Sequence, residues 1–169
     1  MATPEPEDIP IEVAGASVRL RFGLATGENG ATRDPAATWE LSSPPDWELL
    51  EGIRFVSAMF EDGTTLGVAA IRPRGAGGHG DDAVAARLVD AEGVKVSTSD
   101  ALVSVEFDAA RRPRRLGIEL WPDPDSAPLR VAADRTGEPA AAEDRDVVAM
   151  SFRLDGVPGT GTYETLRRR

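Results

Sequence analysis

Apolar and polar residues alternate with period two in many segments of this chain, and no long stretch carries the period of an amphipathic helix. The clearest case is residues 147–166, VVAMSFRLDGVPGTGTYETL. Met150, Phe152 and Leu154 share one face there, while Ser151, Arg153 and Asp155 share the other. Past the turn at Asp155-Gly156-Val157-Pro158, Gly159, Gly161 and Tyr163 alternate with Thr160, Thr162 and Glu164. Two half-buried strands around a Gly-bearing turn predict a hairpin. Glycines at 159 and 161 weaken a strand unless a backbone, a bulky neighbour or a ligand comes close to that face.

A second hairpin is predicted over residues 53–71, with Asp62-Gly63 at its turn. Both faces of its first run are apolar, with Phe55, Ser57 and Met59 set against Val56, Ala58 and Phe60. That pattern predicts a strand covered on both sides, or one whose inner face lines a cavity. Further strands are expected at residues 18–22, 38–41, 102–107, 116–121 and 129–133. Residues 84–90 fit a short helix or a strand, and the turn at Ala91-Glu92-Gly93 favours the strand. Loops rich in Gly, Pro and small polar residues fill 25–37, 72–82 and 136–146. The total of about nine or ten strands predicts an all-β antiparallel barrel, with a β-sandwich as the alternative. One domain is expected over residues 9–166, between a disordered acidic tail (1–8) and a basic tail (167–169).

Composition narrows the chemistry. A net charge of −10 disfavours nucleic acid and anionic membrane surfaces as partners. Without Cys there are no disulfides, thiolate metal sites or thiol nucleophiles. A single His, His79, leaves no multi-histidine metal cluster and argues against a catalytic triad. No apolar run reaches membrane-spanning length, and the N-terminus lacks a signal peptide's regions, so a cytoplasmic protein without membrane insertion is expected.

Gly75-Ala76-Gly77-Gly78-His79-Gly80 matches G-x-G-x-x-G. Arg72-Pro73-Arg74 separates it from the preceding strand, and Asp81-Asp82 puts negative charge where a pyrophosphate would sit, so a flexible loop is the better reading. Asp123-Pro124-Asp125 lacks the Gly and terminal Glu of a calcium loop. Glu119 and Glu164 occupy the minority faces of predicted strands near Trp121 and Tyr163. Lining a cavity, such carboxyls would act as general acids with raised pKa; facing solvent, they are surface charges.

Several ordered segments resemble the lipocalin-like (calycin) superfamily of AttH-type and hydroxyneurosporene synthase-like proteins, which has many actinobacterial and proteobacterial members. These are the aromatic strand and Asp-Gly turn from Phe55 to Gly63, Arg112-Pro113 before the strand at 116–121, and Phe152-Arg153-Leu154-Asp155-Gly156 followed by Gly159-Thr160-Gly161-Thr162-Tyr163-Glu164. They span about residues 50–166 and match the family's C-terminal barrel. Upstream, where relatives carry an R-D-H-S-W-G-x-R-D-W-like stretch, this chain has Arg33-Asp34-Pro35, Trp39-Glu40 and Asp46-Trp47.

The resemblance implies a barrel that binds a small hydrophobic molecule (terpenoid, steroid, polyketide or lipid-like), with cofactor-free isomerase or cyclase activity in some relatives. Trp39, Trp47, Phe55, Ser57, Met59, Trp121 and Tyr163 are the expected ligand walls, and Glu119 and Glu164 the catalytic acids. No cofactor or metal is expected. Relatives with two barrels suggest that this shorter chain forms a homodimer. The rival reading is a non-catalytic accessory or assembly subunit.

Overall fold

Period two becomes strand along most of the described chain. The structure, a computed structural model, describes residues 7–22, 37–93, 95–142 and 144–168. Thirteen strands lie within them: β1 (Glu7–Val13), β2 (Ala16–Phe22), β3 (Thr38–Leu41), β4 (Leu50–Phe60), β5 (Thr65–Pro73), β6 (Ala83–Val89), β7 (Lys95–Thr98), β8 (Ala101–Phe107), β9 (Pro113–Leu120), β10 (Leu129–Arg135), β11 (Ala140–Ala141), β12 (Arg145–Leu154) and β13 (Val157–Leu166). The one helical element described is a 3-10 turn at His79–Asp81. No helix among the described residues is long and apolar enough to cross a membrane.

All pairings are antiparallel, in two sheets. The larger runs β7-β6-β5-β4-β13-β12-β10-β9-β8 and curls into a nearly closed barrel, with β11 paired to β12. β7 and β8 are two halves of one bent run. The first pairs with β6, and after Ser99-Asp100 the second pairs with β9 at the other end of the sheet. Thr98 Oγ1 donates to the Trp121 carbonyl and the Trp121 amide donates to the Asp100 carbonyl, both over 2.9 Å, which stitches the bend to the end of β9.

The smaller sheet, β1-β2-β3, lies over the outside of the barrel. Hence β4 and β5 are buried on both faces. Val56, Ala58 and Phe60 of β4 join the barrel core, while Ile53 and Phe55 pack with Ile11, Val18 and Leu20 of the outer sheet. The two-faced apolar pattern thus reflects a second layer of protein. β1 starts at Glu7, so residues 7 and 8, expected in the tail, belong to a strand. Residues 1–6, most of the 25–37 loop and Arg169 lie outside the described residues. Of the basic tail, the Arg167 amide donates to the Asp144 carbonyl and Arg168 Nη2 to the Glu51 carbonyl.

The β12–β13 hairpin closes in a two-residue turn, Asp155-Gly156, and Val157 and Pro158, expected in the turn, already pair within β13. Asp155 and Gly156 both take positive φ (48° and 79°), the geometry of a type I′ loop that matches strand twist. The neighbouring backbone explains the glycines. A Cβ on Gly161 would lie 1.9 Å from the Ser57 carbonyl oxygen, and one on Gly159 would lie 2.7 Å from that of Met59. At these two positions β13 can approach β4 only because the side chains are absent.

At the β8–β9 turn, Asp108 Oδ1 accepts from the Ala110 and Arg112 amides, while Oδ2 accepts from Arg112 Nε and Arg135 Nη1. The bond from the Arg112 backbone, then Arg135 and the Arg112 charge, lower its pKa from 3.8 to about 2.

Two predictions follow from this packing. Gly161→Ala should destabilise the fold by roughly 2–3 kcal/mol in chemical denaturation, the upper end of overpacking costs, because rigid backbone is what the methyl meets; a loss below about 0.5 kcal/mol would show that β13 has room to move away from β4. Asp108 stabilises the folded chain above pH 3.8, and that contribution is lost as pH falls through about 2. Across this window the unfolding midpoint of the wild type should fall more steeply than that of Asp108→Asn.

Candidate functional site

The densest buried polar constellation among the described residues closes one end of the barrel. Arg54 and Arg72 continue the inward-facing rows of β4 and β5 beyond Val56 and Ala70, and Asp82 immediately precedes β6. A buried carboxylate is tolerable only with strong partners, and Asp82, 1% exposed, has two. Arg54 Nη2 donates to Oδ2 over 2.5 Å, and Arg72 donates from Nε to Oδ1 (2.7 Å) and from Nη2 to Oδ2 (3.3 Å). Arg54 Nη1 also reaches the Val103 carbonyl on β8 (3.3 Å), a direct tie between β4 and the edge strand that closes the barrel.

His79 adds an acceptor. Its Nδ1 lies 2.8 Å from Arg72 Nη2, a permanent donor, so Nδ1 is unprotonated in this arrangement. Partial burial, with the charges of Arg54 and Arg72, lowers its pKa below 6.5 against the opposing pull of Asp82. The Asp82 hydrogen bond raises the pKa of Arg72. Next to this plug is an open concavity of about 410 Å³, lined by Gly80, Asp82, Asp100, Leu102, Trp121 and Pro124. A second, of about 420 Å³, lies between β1 and the β6–β7 pair, against Ile9, Ile11, Val84 and Ser97.

A different cluster unites several residues expected at a site. Trp39 of β3 stacks on Phe55 of β4 with ring centroids 3.8 Å apart and 1° between planes. The Arg145 guanidinium covers the Trp39 ring at 3.8 Å. Trp39 Nε1 donates to Glu164 Oε2 over 2.6 Å, and Arg145 Nη1 lies 4.0 Å from Glu164 Oε1. Every polar handle of the indole is thereby occupied. This cluster lies on the outer face of the barrel and clamps the small sheet to β4, β12 and β13.

The remaining expected residues are scattered. Trp47 packs at the edge of the same outer layer, with the Arg168 guanidinium 6.0 Å from its ring. Ser57 and Met59 continue the outward row of Phe55. Ser57 is buried and its Oγ has no hydrogen-bond partner. Glu119 sits on the outside of β9, more than a third exposed, 3.3 Å from Arg130. Trp121 follows β9 and lines the first concavity. Tyr163 points inward and is buried in the barrel core. Glu119 and Glu164 therefore lie apart on the outer wall, and neither lines the two concavities described above. Sequence reasoning missed Arg54, Arg72, Asp82 and Arg145. The available signal was Arg54, the one charge in the apolar run 53–60, with Asp82 just ahead of β6. No group of three or more His, Asp or Glu able to hold a metal occurs among the described residues.

The chain aligns over 93% of its length with a crystal structure of a candidate AttH protein from Nitrosomonas europaea, at a TM-score of 0.56 and 17% identity. This chain shares the barrel fold of that AttH-type structure. It spans 63% of that structure's length. No family model matches the sequence, and no curated protein does.

If the Trp39 cluster is a structural clamp, its members should be energetically coupled. A double-mutant cycle of Trp39→Phe and Glu164→Leu, read by denaturant unfolding, should give a coupling of about 1.5–3 kcal/mol, as for a hydrogen bond to a charged group. Strict additivity would mean that the bond contributes nothing to docking of the small sheet.

Proposed function

We propose that this chain is a filled-barrel accessory or assembly module. The observation that carries the reading is the barrel interior. Val56, Val68, Val103, Ile118, Met150 and Phe152 belong to one continuous cluster in which each is 2% exposed or less. Side chains lining a cavity of ligand size would expose surface to it, and small-molecule pockets commonly run from about 300 to 1,000 Å³. The two concavities described above are open, and none of these six residues lines either of them. Of the residues expected as ligand walls, Trp39, Trp47 and Phe55 pack in the outer layer and Tyr163 in the barrel core.

The second reading is a barrel that binds a terpenoid, steroid, polyketide or lipid-like molecule, with cofactor-free isomerase or cyclase activity. The AttH-type fold favours it, and its site would have to use an outer concavity or displace core side chains. Native mass spectrometry of protein purified from its own host separates the two. Retention of no small molecule is expected, and a stoichiometric apolar ligand would overturn the module reading. Should such a ligand prove to be a substrate, unchanged turnover in both Glu119→Gln and Glu164→Gln would exclude the carboxyls as catalytic acids.

A further inference from the structure

The turn at His79–Asp81 covers the barrel end, and its attachments are few. Asp81 and Asp82 amides bond within the turn, to the Gly78 and His79 carbonyls. Asp81 Oδ2 holds the Gly77 amide and Glu51 Oε1 holds the Gly75 amide. Gly75, Gly78 and Gly80 have nothing within 4 Å of a would-be Cβ, so the strap is open at these three positions. Asp82 anchors the C-terminal end of the turn to Arg54 and Arg72, and from within the turn itself the side-chain link to the barrel wall is the bond from Arg72 to His79 Nδ1. It exists only while the imidazole is neutral, because a protonated ring offers no acceptor.

We propose that His79 is a proton-operated latch: neutral, it binds the turn to Arg72; protonated, it releases the turn and widens the concavity beside Trp121. The charges around it make the change one-directional. Arg54 from β4 and Arg72 from β5 both donate to Asp82, so two cations share this carboxylate. Protonated His79 would be a third cation, 4.0 Å from an oxygen that already accepts from both arginines. Asp81 on the same turn is held by the Gly77 amide, and Glu51 lies near Arg72. β8, which also packs against the turn, brings Val103 and its carbonyl, while Asp100 lies across the concavity. The direction of the His79 shift agrees: below pH 6.5 the unfolded chain binds a proton that the folded chain resists, so folding weakens as pH falls from 6.5 toward the native value.

Because His79 is the only histidine, its imidazole signals can be titrated by NMR without assignment ambiguity. An apparent pKa below 6.5 is expected; one at or above 6.5 would overturn the latch. Amide exchange at Gly80 and Asp81, each corrected for intrinsic pH dependence and compared with β4, gives the second readout. From pH 7.5 to pH 5 the relative exchange of the turn should rise about tenfold or more in the wild type. In His79→Gln, which cannot take up the proton, the relative exchange should not change with pH. A pH-independent wild type, or an equal rise in His79→Gln, would overturn the proposal.

Discussion

The structure depends on one constraint: β4 and β5 must be buried on both faces. A strand with apolar residues on two sides has no stable place at a surface. Inside, Val56, Ala58 and Phe60 meet the opposite barrel wall; outside, Ile53 and Phe55 need a cover. The small sheet is that cover, and the Trp39 sandwich positions it. Its second layer makes the barrel wall thick on one side only, around β4, β5, β6 and β13.

Packing apolar residues through the interior leaves a problem at the end of the barrel, where Arg54 and Arg72 follow the apolar rows. Their charges are tolerated because Asp82 accepts from both, and because Arg54 finds a second acceptor on β8. Removing either partner from such a plug would strand a charge, which costs far more than the pair contributes. The same residues tie β4 to the bend where the sheet changes neighbours. Barrel closure thus rests on a polar link where backbone pairing runs out.

Much of the fold could be read from the sequence, because alternation and turn chemistry are local. The 147–166 hairpin, the Asp62-Gly63 turn and the all-β class follow from them. β1 was hidden by Pro10 and its acidic residues, which discourage a strand reading; an edge position, where β1 pairs only with β2, accommodates Pro. Phe107 follows Val103 and Val105 by parity, yet is 57% exposed, since periodicity gives a face and not where the core ends. For Glu119 and Glu164 the pattern identified the minority face, which in a filled barrel is the outer one. Arg54 and Asp82 meet across the barrel end, and no local pattern signals such a pair. Tyr163 and the glycines at 159 and 161 posed the remaining question: their face looks inward, and it is the backbone of β4 that comes close.

The notch at Gly159 and Gly161 also bears on the order of assembly. It joins the last described strand to β4, with Gly159 opposite Phe60 and Glu164 opposite Phe55. These partners lie on the order of a hundred residues apart in sequence, a separation that makes pairing slow. During synthesis, β4, β5 and β6 can form a meander early, but their free edge must wait for β13 to leave the ribosome. Until then the edge of β4 is an unpaired, apolar strand, the kind that invites association between nascent chains.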